Sequence, residues 1–291
     1  MPLENSLEVL DTFLSILTFA VGCMVGSFLN VCIYRLPRDE SIIHPRSHCP
    51  KCGQPIAWYD NLPLVSWLIL GAKCRNCGAV ISWQYPLVEA ITGTLFLCVY
   101  WRFGMTPAAP VYTALVAGLI VVTFVDLATW TIPNEVTMPG IPIGIACALV
   151  GMFYPASGLI VRDVFASLIG AAAGGGLLYL LDKLTLLLLK KRGMGFGDVK
   201  LLAMLGAFFG WQSLFLIILA SSLMGSVVGL SMLAIKKDKQ TENGDEGAHY
   251  LPFGPYLAIA GVLYLLFGPA LIEWYLGSMH VPEPTHVLPV M

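Results

Sequence analysis

The chain is built from apolar runs long enough to cross a bilayer. They fall near residues 12–34, 86–101, 111–125, 136–154, 164–189, 199–211, 213–235 and 254–276. A span takes roughly 20 apolar residues at 1.5 Å per residue. With 57% hydrophobic and only 12% charged residues, little polar surface remains to cover a water-soluble globule. An all-α polytopic membrane protein is the fold class expected. The first run follows acidic residues and is not trailed by a small-residue cleavage site, so it is expected to stay as a helix rather than to be removed as a leader.

Basic residues orient the runs. Of 16 Lys and Arg, six (Arg35, Arg38, Arg46, Lys51, Lys73, Arg75) lie in the polar block between the first two runs. Lys190, Lys191 and Arg192 form a second cluster, and Lys236, Lys237 and Lys239 a third. The positive-inside rule puts all three in the cytoplasm. An even number of crossings must then separate the second cluster from the third, so residues 199–235 are read as two helices that turn at Gly210–Ser213. The expectation is eight transmembrane helices with both termini periplasmic, in a bacterial inner membrane. The expected division is a first helix at 1–36, a cytoplasmic zinc-binding domain at 37–85 and a seven-helix membrane core at 86–291.

The polar block contains "CPKCGQ" at Cys49 and Cys52 and "CRNCGA" at Cys74 and Cys77. Two Cys-x-x-Cys knuckles, each followed by glycine, complete a tetrahedral four-thiolate site, and the glycines let backbone amides turn toward the sulfurs. The other reading is two disulfides, which a reducing cytoplasm disfavours. A closed thiolate shell leaves the metal no open position, so Zn2+ is expected to be structural and to staple a domain too small for its own core. His44 and His48 are expected to be solvated. Cys23, Cys32, Cys98 and Cys147 lie in apolar runs and read as small hydrophobes.

Acidic groups at membrane depth are functional candidates. Asp126 ends the third run in "VVTFVDLATWTIPNEVT", and Asp198 opens the sixth in "GMGFGDVKLLAMLGAFFG". The charge parity places both at cytoplasmic helix ends. Two carboxylates that share a proton can activate water and polarise an amide carbonyl, which is peptide hydrolysis without a metal or a covalent intermediate. Gly193, Gly195 and Gly197 are expected to permit unusual backbone angles and the close approach of a substrate chain. The bland alternatives are a helix N-cap for Asp198 and an interfacial residue for Asp126. Glu89 is expected either to pair with a buried polar group, to snorkel at the interface, or to contribute to a ligand pocket; Asp163 and Glu273 read as interfacial.

Taken together, "GSFLNVCIYRLP" (26–37), the two knuckles, "ISWQYPLVEAITG" (81–93), "GMGFGDVKLLAMLGAFFGW" and "LPFGPYLAIAG" (251–261) resemble the type IV prepilin peptidases. The resemblance runs in order over nearly the whole chain. It implies that Asp126 and Asp198 are the catalytic pair, the second in a Gly-x-Gly-Asp motif with Gly195 and Gly197 as a substrate loop. It also implies two activities on type IV prepilins and type II secretion pseudopilins: cleavage of a basic leader after a glycine on the cytoplasmic side, then methylation of the new N-terminal residue by S-adenosylmethionine. The methyl-donor site has no pattern of its own; Glu89 is the candidate nearest the cytoplasmic block. Ala128, Asn134 and Gln84 depart from the family pattern. Lipid is the expected surroundings, and nucleic acid is not an expected partner. A rival reading from the residues is a non-enzymatic transporter or assembly scaffold, with the acids as a cation site, the zinc domain as a docking module and the polar stretch 236–250 as a connecting loop.

Overall fold

The computed structural model describes residues 2–190, 195–236 and 252–279. These form nine α-helices: α1 (Pro2–Arg35), α2 (Val65–Ile69), α3 (Gln84–Phe103), α4 (Ala108–Thr129), α5 (Asn134–Phe153), α6 (Val164–Leu189), α7 (Phe196–Phe209), α8 (Trp211–Lys236) and α9 (Gly254–Met279). Among the described residues there is no strand longer than an isolated bridge. Gly193, Lys191, Arg192, Lys237, Lys239 and most of the 236–250 stretch lie outside the described residues, as does the side chain of Glu273.

Each apolar run is matched by one long helix, and the divide within 199–235 falls at Gly210, whose φ of 79° turns the chain directly into α8. The turn is one residue rather than the stretch Gly210–Ser213, because a left-handed glycine reverses the chain without a loop. Six of the eight long helices are long and apolar enough to cross a membrane: α1, α4, α5, α6, α8 and α9. α3 and α7 fall short for different reasons. α3 opens on polar Gln84 and buries Glu89, whereas α7 has only 14 residues.

The shortness of α7 follows from its position. From Asp198 to Phe209 almost every side chain is buried, so α7 is a central helix enclosed by protein. Small residues let its neighbours close on it. A Cβ on Gly170 of α6 would lie 2.2 Å from the Gly206 carbonyl oxygen, and one on Gly206 would lie 2.2 Å from that of Gly170. On the other flank, Gly140 and Gly144 of α5 leave room for Met204 and Ala207. Such close approach maximises dispersion contacts where lipid removes the ordinary hydrophobic drive. The outer faces of the bundle carry exposed Leu187, Leu188, Phe215, Leu223 and Leu230, as a lipid-facing surface requires.

α1 and α3 pack as a second close pair: a Cβ on Gly22 would meet Gly93 Cα at 2.7 Å, and one on Gly26 would meet Glu89 Cα at 2.7 Å. Asn30 donates its amide to the carbonyls of Gly26 and Tyr85, tying the same pair one turn further along. The block between them is pinned to α1 by Arg35, whose buried guanidinium donates to the carbonyls of Ser41 and Pro45, both at 2.8 Å. At the far side of the bundle Asp163, read from sequence as interfacial, caps α6 by accepting the amides of Phe165 and Ala166.

Candidate active site

Asp126 lies in the last turn of α4 and Asp198 in the first turn of α7, and both are buried. They lie within electrostatic reach of each other. The rival helix-cap role for Asp198 does not describe its position: Gly195 is the cap residue, and Asp198 sits inside the helix with its amide on the Gly195 carbonyl at 3.1 Å. Among the described residues its Oδ1 is buried without a hydrogen-bond partner. A buried unpartnered carboxylate oxygen is costly unless another molecule satisfies it.

Asp126 is held differently. Its Oδ2 accepts the backbone amide of Gly254, the first residue of α9, at 3.1 Å. A Cβ on Gly254 would lie 2.5 Å from that oxygen, so only glycine lets the amide come this close. Ile132, in the link between α4 and α5, completes the arrangement. A Cβ on Gly254 would lie 2.9 Å from Ile132 Cδ1, and one on Gly197 would lie 2.8 Å from Ile132 Cβ. One apolar side chain thus packs against the glycines beside both acids. Ile132 and Gly254 carry no reactive group, so residue chemistry gave no signal for them; position within "WTIP" and "LPFGPY" was the only one.

The glycines of the motif serve space rather than backbone angle. Gly195 has an ordinary φ of −73°, and Gly197 is helical. A Cβ on Gly195 would lie 3.2 Å from Asp198 Oδ2, so each glycine keeps room beside a carboxylate or its support. Asn134, one of the departures from the family pattern, accepts a hydrogen bond from Lys200, two residues past Asp198. This contact joins the start of α5 to the start of α7.

The four knuckle cysteines come together. Their sulfurs all lie within 4.8 Å of one another, and Cys49 and Cys77 Sγ are 3.8 Å apart. Zinc–sulfur bonds of about 2.3 Å in a tetrahedron place sulfurs about 3.8 Å apart, so the cluster fits that ion. The knuckles are built alike: the Gly53 amide donates to the Cys49 carbonyl and the Gly78 amide to that of Cys74, with both glycines at φ 69°. The Cys52 thiol is pushed down to about 6, first by the Gln54 backbone amide and then by the Asn76 side chain. None of the eight cysteines is in a disulfide. His44 and His48 are exposed and outside the cluster.

Glu89 stands apart from both sites. It is buried between α1 and α3, and its Oε2 accepts the Leu64 amide at 2.8 Å from the chain just before α2. Of the sequence alternatives, pairing with a buried polar group is therefore realised.

Residues 20–103 match the model of the bacterial peptidase A24 N-terminal domain, and residues 113–230 match that of the type IV leader peptidase family. A prepilin leader peptidase/N-methyltransferase from Pseudomonas aeruginosa is 37% identical over 95% of this chain and 98% of its own length. The chain belongs to the type IV leader peptidase family. Enzymes of the same name from Aeromonas salmonicida and Myxococcus xanthus are 38% and 37% identical, over 90% and 88% of this chain and 94% and 90% of theirs. No solved structure gives a significant match. For a leader peptidase, the paired acids at the ends of α4 and α7 are the groups with the right chemistry for hydrolysis, and the thiolate cluster falls within the matched N-terminal domain.

Proposed function

We infer that this membrane enzyme removes the basic leader of type IV prepilins and pseudopilins and then N-methylates the new N-terminus. The observation that carries the hydrolytic reading is the pair itself: two buried carboxylates on different helices within electrostatic reach, one with an unpartnered oxygen. Asp126, held by Gly254, and Asp198, with Oδ1 free, together position a water against the scissile carbonyl. One carboxylate takes the proton of the attacking water while the other donates a proton to the carbonyl oxygen, and the departing amine is protonated as the C–N bond breaks. Gly195 leaves room for the extended peptide beside Asp198, whereas the space at Gly197 is taken by Ile132, which closes on the site.

The four cysteines would hold structural Zn2+, which would keep the two knuckles in one unit; a closed four-thiolate shell would give it no part in hydrolysis. S-adenosylmethionine supplies an electrophilic methyl group for the freed amine. Glu89, at the seam of α1, α3 and the zinc block, is the residue to which we assign a contact with that donor. The topology that suits this function has eight crossings, with both termini periplasmic and the zinc domain of residues 37–85 in the cytoplasm between the first helix and a core of residues 86–291. The surrounding lipid is then that of a bacterial inner membrane. The leader, rich in basic residues, would stay on the cytoplasmic side with the catalytic pair.

The test is cleavage of a prepilin in proteoliposomes, with and without S-adenosylmethionine. Asp126→Asn and Asp198→Asn should each abolish leader removal while zinc content and helicity are kept. Normal cleavage by either folded variant would overturn the assignment.

A further inference from the structure

Residues 62–70 read "LPLVSWLIL", an apolar stretch inside the otherwise polar block, and α2 occupies its centre. The helix has the wrong polarity for water. Ser66, its polar residue, is 7% exposed and turned inward, where its hydroxyl donates to the Tyr59 carbonyl and accepts the Leu62 amide. Leu68 and Ile69, by contrast, are 70% and 73% exposed, and Val65 and Leu62 are exposed beside them. Phe215, on the outer face of α8, is exposed to the same degree at 71%.

The depth of this stretch is set by Glu89. The Leu64 amide is bonded to its carboxylate, and Glu89 lies five residues inside α3. At 1.5 Å per residue the start of α2 is therefore level with a point about 7.5 Å below the first residue of α3. Interfacial helices bury their apolar face about 5–10 Å into the boundary between headgroups and acyl chains. Leu64 is held there at φ 60° and ψ −49°, a conformation a leucine adopts only when its surroundings impose it. Within the stretch, Trp67 packs its ring at a tilt against that of Trp83, just before α3, with centroids 4.3 Å apart, and tryptophan concentrates at membrane interfaces. The block as a whole carries six Lys and Arg against three acids over residues 35–85, a balance that complements anionic headgroups.

We propose that residues 62–70 are embedded in the lipid interface beside α1 and α3, with Val65, Leu68 and Ile69 in contact with lipid, so that the zinc block is anchored flat on the bilayer. Glu89 fixes the depth of the anchor, and the inward Ser66 satisfies the backbone that lipid cannot. The occupant is lipid because the face is apolar and is held by the Glu89 contact alongside the first turns of α3, and because the block's excess of basic residues matches anionic headgroups.

The test places a photo-crosslinking amino acid singly at positions 65, 68 and 69 of the full zinc-loaded chain. The proteins are reconstituted in vesicles of phosphatidylethanolamine and phosphatidylglycerol, and adducts are read by mass spectrometry. Position 215 serves as the lipid-facing control and exposed Lys51 as the water-facing one; retained zinc shows that each variant is folded. Lipid adducts at all three positions within about threefold of those at 215 are expected for an interfacial helix. Yields as low as those at position 51 would overturn the proposal. So would crosslinks to a second copy, or to prepilin when it is added, in place of lipid, because the face would then be a protein-docking surface.

Discussion

The amide of Gly254 donates to Asp126 Oδ2 at 3.1 Å across 128 residues of sequence, joining the end of α4 to the start of α9. A Cβ at position 254 would lie 2.5 Å from the same oxygen. Gly254→Ala should therefore push the Asp126 carboxylate out of place while α9 still forms. Misplacing a reacting group by about 1 Å costs on the order of 100-fold in rate. Steady-state cleavage of a prepilin should show the loss in kcat, with far-ultraviolet circular dichroism unchanged.

Ile132 packs against the glycines beside both acids, at Gly197 and Gly254. Ile132→Ala should loosen both contacts and cost about 1–2 kcal/mol, at or below the low end for a buried isoleucine because Ile132 is only partly buried. Thermal unfolding in detergent should fall, and cleavage should drop further than the stability loss explains. Ile132→Val, which keeps the branched carbon nearest Gly197, should restore most of the activity.

Gly206 and Gly176 provide an internal contrast. A Cβ on Gly206 would meet the Gly170 carbonyl oxygen at 2.2 Å, whereas one on Gly176 meets nothing within 4 Å. Gly206→Ala should destabilise by roughly 1–3 kcal/mol through forced separation of α6 and α7. Gly176→Ala should be neutral or stabilising by up to about 1 kcal/mol, because alanine is the better helix former. Melting temperatures of the two variants, compared in one detergent, test the packing directly.

Removing zinc should act locally. Chelation is expected to raise hydrogen exchange at the Gly53 and Gly78 amides, which close the two knuckles, while the amides of α7 stay protected. Equal deprotection of α7 would show that the metal supports the membrane core as well.

The four-cysteine block should also carry a salt-sensitive acid transition. Arg75 makes two hydrogen bonds to Asp60, Nε to Oδ2 at 2.8 Å and Nη2 to Oδ1 at 2.6 Å, and these hold the Asp60 carboxyl below the usual carboxylate range. Because its pKa is lower in the folded state, the pair stabilises the block above the ordinary carboxylate value of about 4. That contribution is lost as the pH falls through the depressed folded value. Arg75→Ala should return the Asp60 titration toward its ordinary range, as read by carboxyl chemical shifts. Since the pair is exposed, high salt should shrink the difference.

Much of this protein is legible one residue at a time. Apolar runs must become helices in a bilayer, because nothing there hydrogen-bonds a bare backbone, and each run corresponds to one long helix. The Cys-x-x-Cys-Gly knuckles are equally local: spacing and a left-handed glycine place two sulfurs on one turn. Asp126 and Asp198 stand out because a carboxylate at membrane depth is expensive. Other features depend on which helices touch. The glycines of "GMGFGDVK" read as positions of unusual backbone angle and close chain approach, yet Gly195 and Gly197 have ordinary backbone angles and leave space beside a carboxylate and Ile132. For Glu89 the sequence leaves a buried polar partner, snorkelling and a ligand pocket all open, and its partner is a backbone amide 25 residues upstream. The sequence by itself determined the helices, the thiolate site and the two acids, because periodicity, spacing and charge cost act locally. Only the tertiary structure decided that Gly254 holds Asp126, that α7 is enclosed and that Leu64 rests on Glu89, because each depends on how closely two distant backbones approach.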